Sequence, residues 1–223
     1  MKMTDNGDVN VKKPEIKIFL VQDSGGKKWS ITQIGIDAYK KKSGVWLLIG
    51  KEKGEKEKTY SLQVGQSADI GKEIKANIFR LNYGLNHNIP EMIEKNYVNQ
   101  FGELKFKYSV YPDERQFLYS EIAKKYTEFK LVVFEISAEI EKEERKKIEK
   151  YVAYKTKSLY WRNGGAYKEG KTENKISDIK KFCDEEATDI KSENIIPDFV
   201  KHFLDALANE NMELNDVPNA SKP

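Results

Sequence analysis

The sequence predicts an α+β fold: a small central antiparallel sheet flanked by helices, followed by a helical, acidic C-terminal extension. Three observations point there. Segments rich in β-branched and aromatic residues interleave with segments whose apolar residues recur at helical spacing. Two strand-like segments face each other across a charged connection in GVWLLIGKEKGEKEKTYSLQVGQS, residues 44–67. Acidic residues crowd toward the C-terminus.

Residues 1–14 read as a disordered arm, residues 15–175 as the α/β domain and residues 176–223 as the extension. EIKIFLV (Glu15–Val21) has the content of a strand, ended by DSGGKK. WSITQIGI (29–36) reads as a second strand leading into the polar DAYKKKS. In the antiparallel pair that follows, Val45, Leu47 and Ile49 alternate on one face, and Leu62 and Val64 do the same in the partner. Gly54 marks the turn between them. Tyr60 shares the parity of Leu62 and Val64. It therefore reads as core, on the face opposite Gln63 unless a bulge intervenes.

A helix is predicted over 70–81, with Asp69 as N-cap and Ile74, Ile78 and Leu81 on one side. NYGLNHNIPEM reads as irregular, and PEMIEKNYVNQF as a short helix starting at Pro90. ELKFKYSVY alternates at Leu104, Phe106, Tyr108 and Val110 and reads as a strand. PDERQFLYSEIAKKY reads as an amphipathic helix with Phe117, Leu118, Ile122 and Tyr126 inward. KLVVFEIS is a buried strand, EKEERKKIEKYVAYKTKS a second helix and LYWRNGGAYKEGK the polar loop after it. In the tail, PDFVKHFLDALA carries the apolar stripe Phe199, Val200, Phe203, Leu204 and Leu207, which must cover either the body or a partner.

The bulk properties exclude several classes. The 223 residues are 39% hydrophobic and 34% charged, a globular pattern with a heavily charged surface. No apolar run is long enough to span a bilayer, and MKMTDNGDVNVKKPE lacks the apolar stretch of a secretory signal. Cys183 is the only cysteine, which excludes internal disulfides and thiolate clusters and suits a reducing cytoplasm. From Cys183 onward ten acids face three lysines, so that stretch carries −7 and residues 1–182 carry +10 of the net +3. A basic body with an acidic end points to a polyanionic partner, or to lysines used for solubility. Neither a Walker loop, nor GxGxxG after a strand, nor HExxH occurs, and two histidines with one cysteine do not suggest a His/Cys metal site or a Ser-His triad.

SGVW followed, after the charged loop, by QVGQSADI and a helix resembles the opening of the GIY-YIG nucleases. Those enzymes carry GIY and YIG (often YVGQS) on two antiparallel strands, then a helix, a later helix with a glutamate, and an asparagine soon after. Here ERKKIEKYVAYKTKSLYWRN offers Glu149 in a helix and Asn163 beyond it, so the resemblance spans about Ser43 to Asn163. It implies a cytoplasmic, Mg²⁺- or Mn²⁺-dependent endonuclease that hydrolyses phosphodiester bonds of double-stranded DNA. The alternative is a non-catalytic nucleic-acid-binding or protein-interaction module on the same fold.

The chain departs from the family where the tyrosines that position and deprotonate water belong. Trp46 and Gln63 stand there, and neither takes a proton from water at neutral pH. The resemblance assigns Glu149 as metal ligand, although EKEERKKIEK is also a charged helix face on which Arg145 can pair with Glu149. Arg80 is the nearest candidate for the family's arginine, with Lys72 and Lys75 as closer point charges or simply solvated residues. Asn163 either holds the site together or caps a turn before Gly164, and His87 is either a substitute proton acceptor or an exposed loop residue. Aromatic residues interleaved with cations, among them Lys155, Trp161 and Arg162, suit stacking on bases and phosphate contact, or the core.

Overall fold

The computed structural model describes residues 16–23, 28–30, 33–54, 59–86, 95–98, 105–108, 114–161 and 176–208. In chain order the elements are β1 (Ile16–Leu20), β2 (Gln22–Asp23), β3 (Trp29–Ser30), α1 (Gln33–Asp37), β4 (Gly44–Glu52), β5 (Thr59–Ser67), α2 (Ile70–Asn86), β6 (Lys95–Val98), β7 (Lys105–Tyr108), α3 (Glu114–Lys125), β8 (Tyr126–Glu135), α4 (Lys142–Thr156), α5 (Ile176–Ser192) and α6 (Asp198–Ala208). The fold is α+β. Its main sheet is antiparallel throughout, in the order β1-β8-β4-β5, and β2-β3 and β6-β7 form two small ribbons.

The central strand β4 is apolar and buried from Gly44 to Gly50 because both faces of the sheet are covered there. Trp46 and Leu48 join Leu62, Leu131 and Val133 in a core with Ile70, Ile74 and Leu81 of α2 and Ile122 of α3. Val45, Leu47 and Ile49 join Val132 and Phe134 in a second core under α4, α5 and α6. Helices α2 and α3 cross so closely that a Cβ on Gly84 would stand 2.4 Å from Ser120 Cα, which leaves room there for glycine alone.

One expectation about the hairpin is corrected by a bulge. Leu48 pairs with Gln63 but Ile49 pairs with Ser61, so Leu62 is an extra residue in β5. The bulge reverses parity along the strand. Leu62 belongs to the first core and Val64 to the second, where simple alternation would put them together. It also puts Gln63, opposite Leu48, on the same side as Trp46. Tyr60 packs against the first core, as its parity with Leu62 suggested, edge-on to Tyr126, but the bulge puts it on the same face as Gln63 and not the opposite one.

Other expectations change. Among the described residues of WSITQIGI, Trp29–Ser30 is strand and the chain is helical from Gln33, in α1. The helical turn brings Ile36 and Tyr39 together as buried residues, while Gly71 at the start of α2 donates its N–H to Tyr39 O. The helix expected from Pro90 gives way at Lys95–Val98 to a strand paired with β7, where the Tyr-Val segment finds a ladder partner. The helix expected over 70–81 continues to Asn86, with Leu81 and Gly84 buried along it. Strand β1 and helix α4 fall where the sequence pattern put them, whereas β8 begins at Tyr126, four residues before the expected KLVVFEIS, so that Tyr126, expected on α3, is buried in the strand instead. The arm at residues 1–14 and the side chains of Phe117 and Leu118 lie outside the described residues.

The described part of the acidic extension, α5 and α6, belongs to the fold. Cys183, Ala187 and Ile190 of α5 and Val200, Phe203 and Leu204 of α6 sit in the second core, and the Phe203 ring meets Phe134 edge-on at 5.4 Å. The tail's apolar stripe therefore covers the body. Among the described residues no helix is long and apolar enough to cross a membrane.

Candidate functional site

β5 is an edge strand, and its edge is partly covered by the chain leaving α4. That helix ends at Lys157, whose positive φ of 53° turns the backbone back toward the sheet. Leu159 and Tyr160 then donate their N–H groups to Ser61 O and Leu62 O at 2.9 and 2.7 Å, alongside the bulge. Trp161 follows, completely buried, and its indole Nε1 donates to Glu149 Oε1 at 2.9 Å. At the far end of β5, Ser67 Oγ accepts from Asp69 N–H, and Asp69 Oδ1 caps α2 by accepting from Lys72 N–H at 3.0 Å. That backbone N–H holds the Asp69 carboxyl below its ordinary pKa.

These turns enclose a cavity of about 130 Å³ beside β5. Trp46 of β4, Gln63, Gly65 and Gln66 of β5, and Glu149 of α4 line it. Trp161, Tyr119 of α3, and Glu73 and Asn77 of α2 complete its walls. The Trp46 ring lies across Gly65, where a Cβ would stand 2.5 Å from Trp46 Cζ2. The glycine of VGQS thus makes room for the indole.

Of the residues expected to form a site, Trp46, Gln63 and Glu149 meet around this one cavity. Glu149 is buried, not part of the solvated face of α4. Arg145, the expected alternative partner of Glu149, donates instead to Gln66 Oε1 at 3.1 Å and to Ile140 O at 2.9 Å. Arg80 is not among the lining residues, but its Nη1 donates to Oδ1 of Asn77, which is, at 3.2 Å. Trp161 is buried beside Glu149 and has no face open for stacking on a base. Lys75 is paired with Asp37 at 2.7 Å and Lys155 with Asp205 at 2.9 Å, while Lys72 is exposed. His87, Arg162 and Asn163 lie outside the described residues.

Sequence reasoning missed Glu73, Asn77, Gln66 and Tyr119. For Glu73 and Asn77 a signal existed: they lie four residues apart on α2, beside the buried Ile70, Ile74 and Leu81. Polar residues bordering an apolar stripe just after a glycine-bearing strand mark a wall that is not simply solvated. Gln66 stands within the quoted VGQS, but nothing in the sequence brings Arg145 to it. Compared with protein-family models, curated proteins and solved structures, the chain matches none.

Proposed function

We propose that the cavity beside β5 is a phosphodiester-hydrolysing site of endonuclease type, acting on double-stranded DNA with one divalent cation, Mg²⁺ or Mn²⁺. The observation that carries this reading is convergence: Trp46, Gln63 and Glu149, from three separate elements, line one cavity. The donor set fits a hard cation. Two carboxylates, Glu149 and Glu73, line the cavity, and a hard ion takes carboxylate oxygens and shares its remaining positions with phosphate. Among the described residues no three acidic, histidine or cysteine groups converge, so the set is a sparse one completed by substrate and water. Such a cation, when bound, supplies charge neutralisation at the phosphoryl oxygens.

Within this reading Trp161 anchors one oxygen of Glu149, which fixes the carboxylate in a buried wall. Trp46 and Gln63 cannot accept a proton from water, whereas a carboxylate can. Glu73 therefore takes the role of base, which leaves Glu149 as the carboxylate that holds the cation. Lys72, exposed on α2 one residue before Glu73, supplies a screened phosphate contact. The single cysteine, buried with its thiol pushed up to about 11, is inert and suits a reducing cytoplasm.

The test is cleavage of plasmid and short duplex DNA with Mg²⁺ or Mn²⁺ by wild type, Glu149→Gln and Glu73→Gln. Glu149→Gln keeps an oxygen for the Trp161 indole while removing the charge, so its thermal midpoint should stay near wild type. Metal-dependent nicking that Glu149→Gln abolishes supports the reading. Absence of nicking by wild type, or its persistence in Glu149→Gln, refutes it. The two side chains that cannot act as a base favour the non-catalytic alternative. On that reading DNA binds equally with and without metal and is released by salt.

A further inference from the structure

The polar side chains around the cavity share one orientation. Gln63 Oε1 accepts from Val64 N–H at 3.2 Å, Gln66 Oε1 from Arg145 Nε and Asn77 Oδ1 from Arg80 Nη1. Backbone amides and guanidinium groups only donate, so each of these bonds identifies the carbonyl end of its amide. The three NH₂ ends are what remains. Asn77 Nδ2 is buried without a hydrogen-bond partner, and so is the indole Nε1 of Trp46. The two residues are 6% and 3% exposed. Gln63 and Gln66 donate through their amide nitrogens to no protein group among the described residues.

A buried donor left unpaired is costly, and native folds keep such groups where a ligand or ordered water completes them. Here the two residues that carry them, with Gln63 and Gln66, line a single cavity and come from β4, β5 and α2. We propose that this cavity is an oxyanion cradle made of uncharged N–H donors, which holds the phosphoryl oxygens of a phosphodiester. Donors converging from three elements suit a tetrahedral anion better than a flat carboxylate. Trp46, a donor without acceptor capacity, serves binding where a tyrosine would serve proton transfer. Arg80 is a positioning residue that acts by turning the Asn77 amide. Because Glu73 and Glu149 share the wall and repel a bare anion, tight binding requires a divalent cation. In that respect the proposal rests on the metal reading above.

The experiment is a titration of ¹⁵N-labelled full-length protein, whose three tryptophans give three indole N–H resonances. Inorganic phosphate and the dinucleotide thymidylyl-thymidine are the probes, each with and without Mg²⁺. The Trp46 resonance, assigned by its loss in Trp46→Phe, should move saturably with the dinucleotide, and more tightly with Mg²⁺ present. Trp46→Phe and Asn77→Leu should each weaken binding about tenfold, the effect of one lost hydrogen bond to a charged group. Trp46→Phe also empties part of the first core and Asn77→Leu removes the acceptor of Arg80 Nη1, so affinities are compared at a temperature at which both variants are fully folded. A Trp46 resonance unmoved by either probe in either condition overturns the proposal even if both variants misfold. So does wild-type affinity in the two variants, or binding lost only in step with thermal stability. Movement by phosphate alone, with no response to the diester, overturns the diester assignment. The two readings fail separately. Binding without cleavage leaves the cradle and removes the nuclease, and cleavage with an unmoved Trp46 does the reverse.

Discussion

Two polar regions of the molecule, the α4–tail seam and the β5-edge cavity, treat their hydrogen-bonding groups in opposite ways. Along the seam, Lys147, Lys155 and Lys157 of α4 and its cap pair with Glu193, Asp205 and Asp184 of the tail. Each charge finds its partner within the chain. In the cavity, three amides spend their carbonyl oxygens on the protein and keep their N–H ends, and Trp46 keeps its indole N–H. Polar groups at the seam serve the fold, and those at the cavity are held in place by the fold without being satisfied by it. The difference also reinterprets the charge asymmetry. Part of what the composition offered as a surface for a polyanion is consumed by the protein's own acids.

The largest expected effect tests whether the seam is structural. Phe203→Ala removes an α6 ring packed edge-on against Phe134, and should cost about 3 kcal/mol by denaturant titration. An unchanged midpoint would make the tail an appendage and dissolve the contrast. On the cavity side, Gly65→Ala puts a methyl group into the Trp46 ring and should cost about 1–3 kcal/mol. The same variant should shift the Trp46 indole resonance.

The smallest effect is the charge pairing itself. Lys155 holds the Asp205 carboxyl below its ordinary value, and Asp205 holds the Lys155 ammonium above its own. Asp205 contributes stability above the ordinary carboxylate range, lost as pH falls through its lowered pKa. Lys155 contributes stability below the ordinary ammonium range, lost as pH rises through its raised pKa. The pair therefore acts from roughly pH 4 to pH 10. Both side chains are substantially exposed, so a double-mutant cycle should read under about 1 kcal/mol at neutral pH, vanishing at about 1 M salt. A larger, salt-resistant coupling would mean that the seam is better shielded than its exposure indicates.

Much of the architecture was legible in the residues themselves. Alternation located β4 and β5, the 3.6-residue spacing located α2 and α4, and Asp69 marked the start of α2, because these signals are local. The boundaries that moved did so through distant partners. Lys95–Val98 became a strand because Lys105–Tyr108 pairs with it, and Ile36 was drawn into a helical turn beneath α2. For the cavity, Trp46, Gln63 and Glu149 were nameable in advance from order and motif. Glu73, Asn77, Gln66 and Tyr119 were not.

By itself the sequence determined the α+β class, the hairpin with its glycine, and the tail helix that needs an apolar surface, since periodicity and composition act over a few residues. Only the tertiary structure decided what those pieces do. An extra residue at Leu62 put Gln63 on the side of Trp46 and sent Leu62 and Val64 to different cores. The return of the chain after α4 set Trp161 against Glu149. Arg80, Arg145 and the backbone of Val64 engage the carbonyl end of each amide in the cavity wall. Such choices depend on which hydrogen-bond donors arrive from elsewhere in the chain, and a strand's register or an amide's orientation has no energy of its own to settle them.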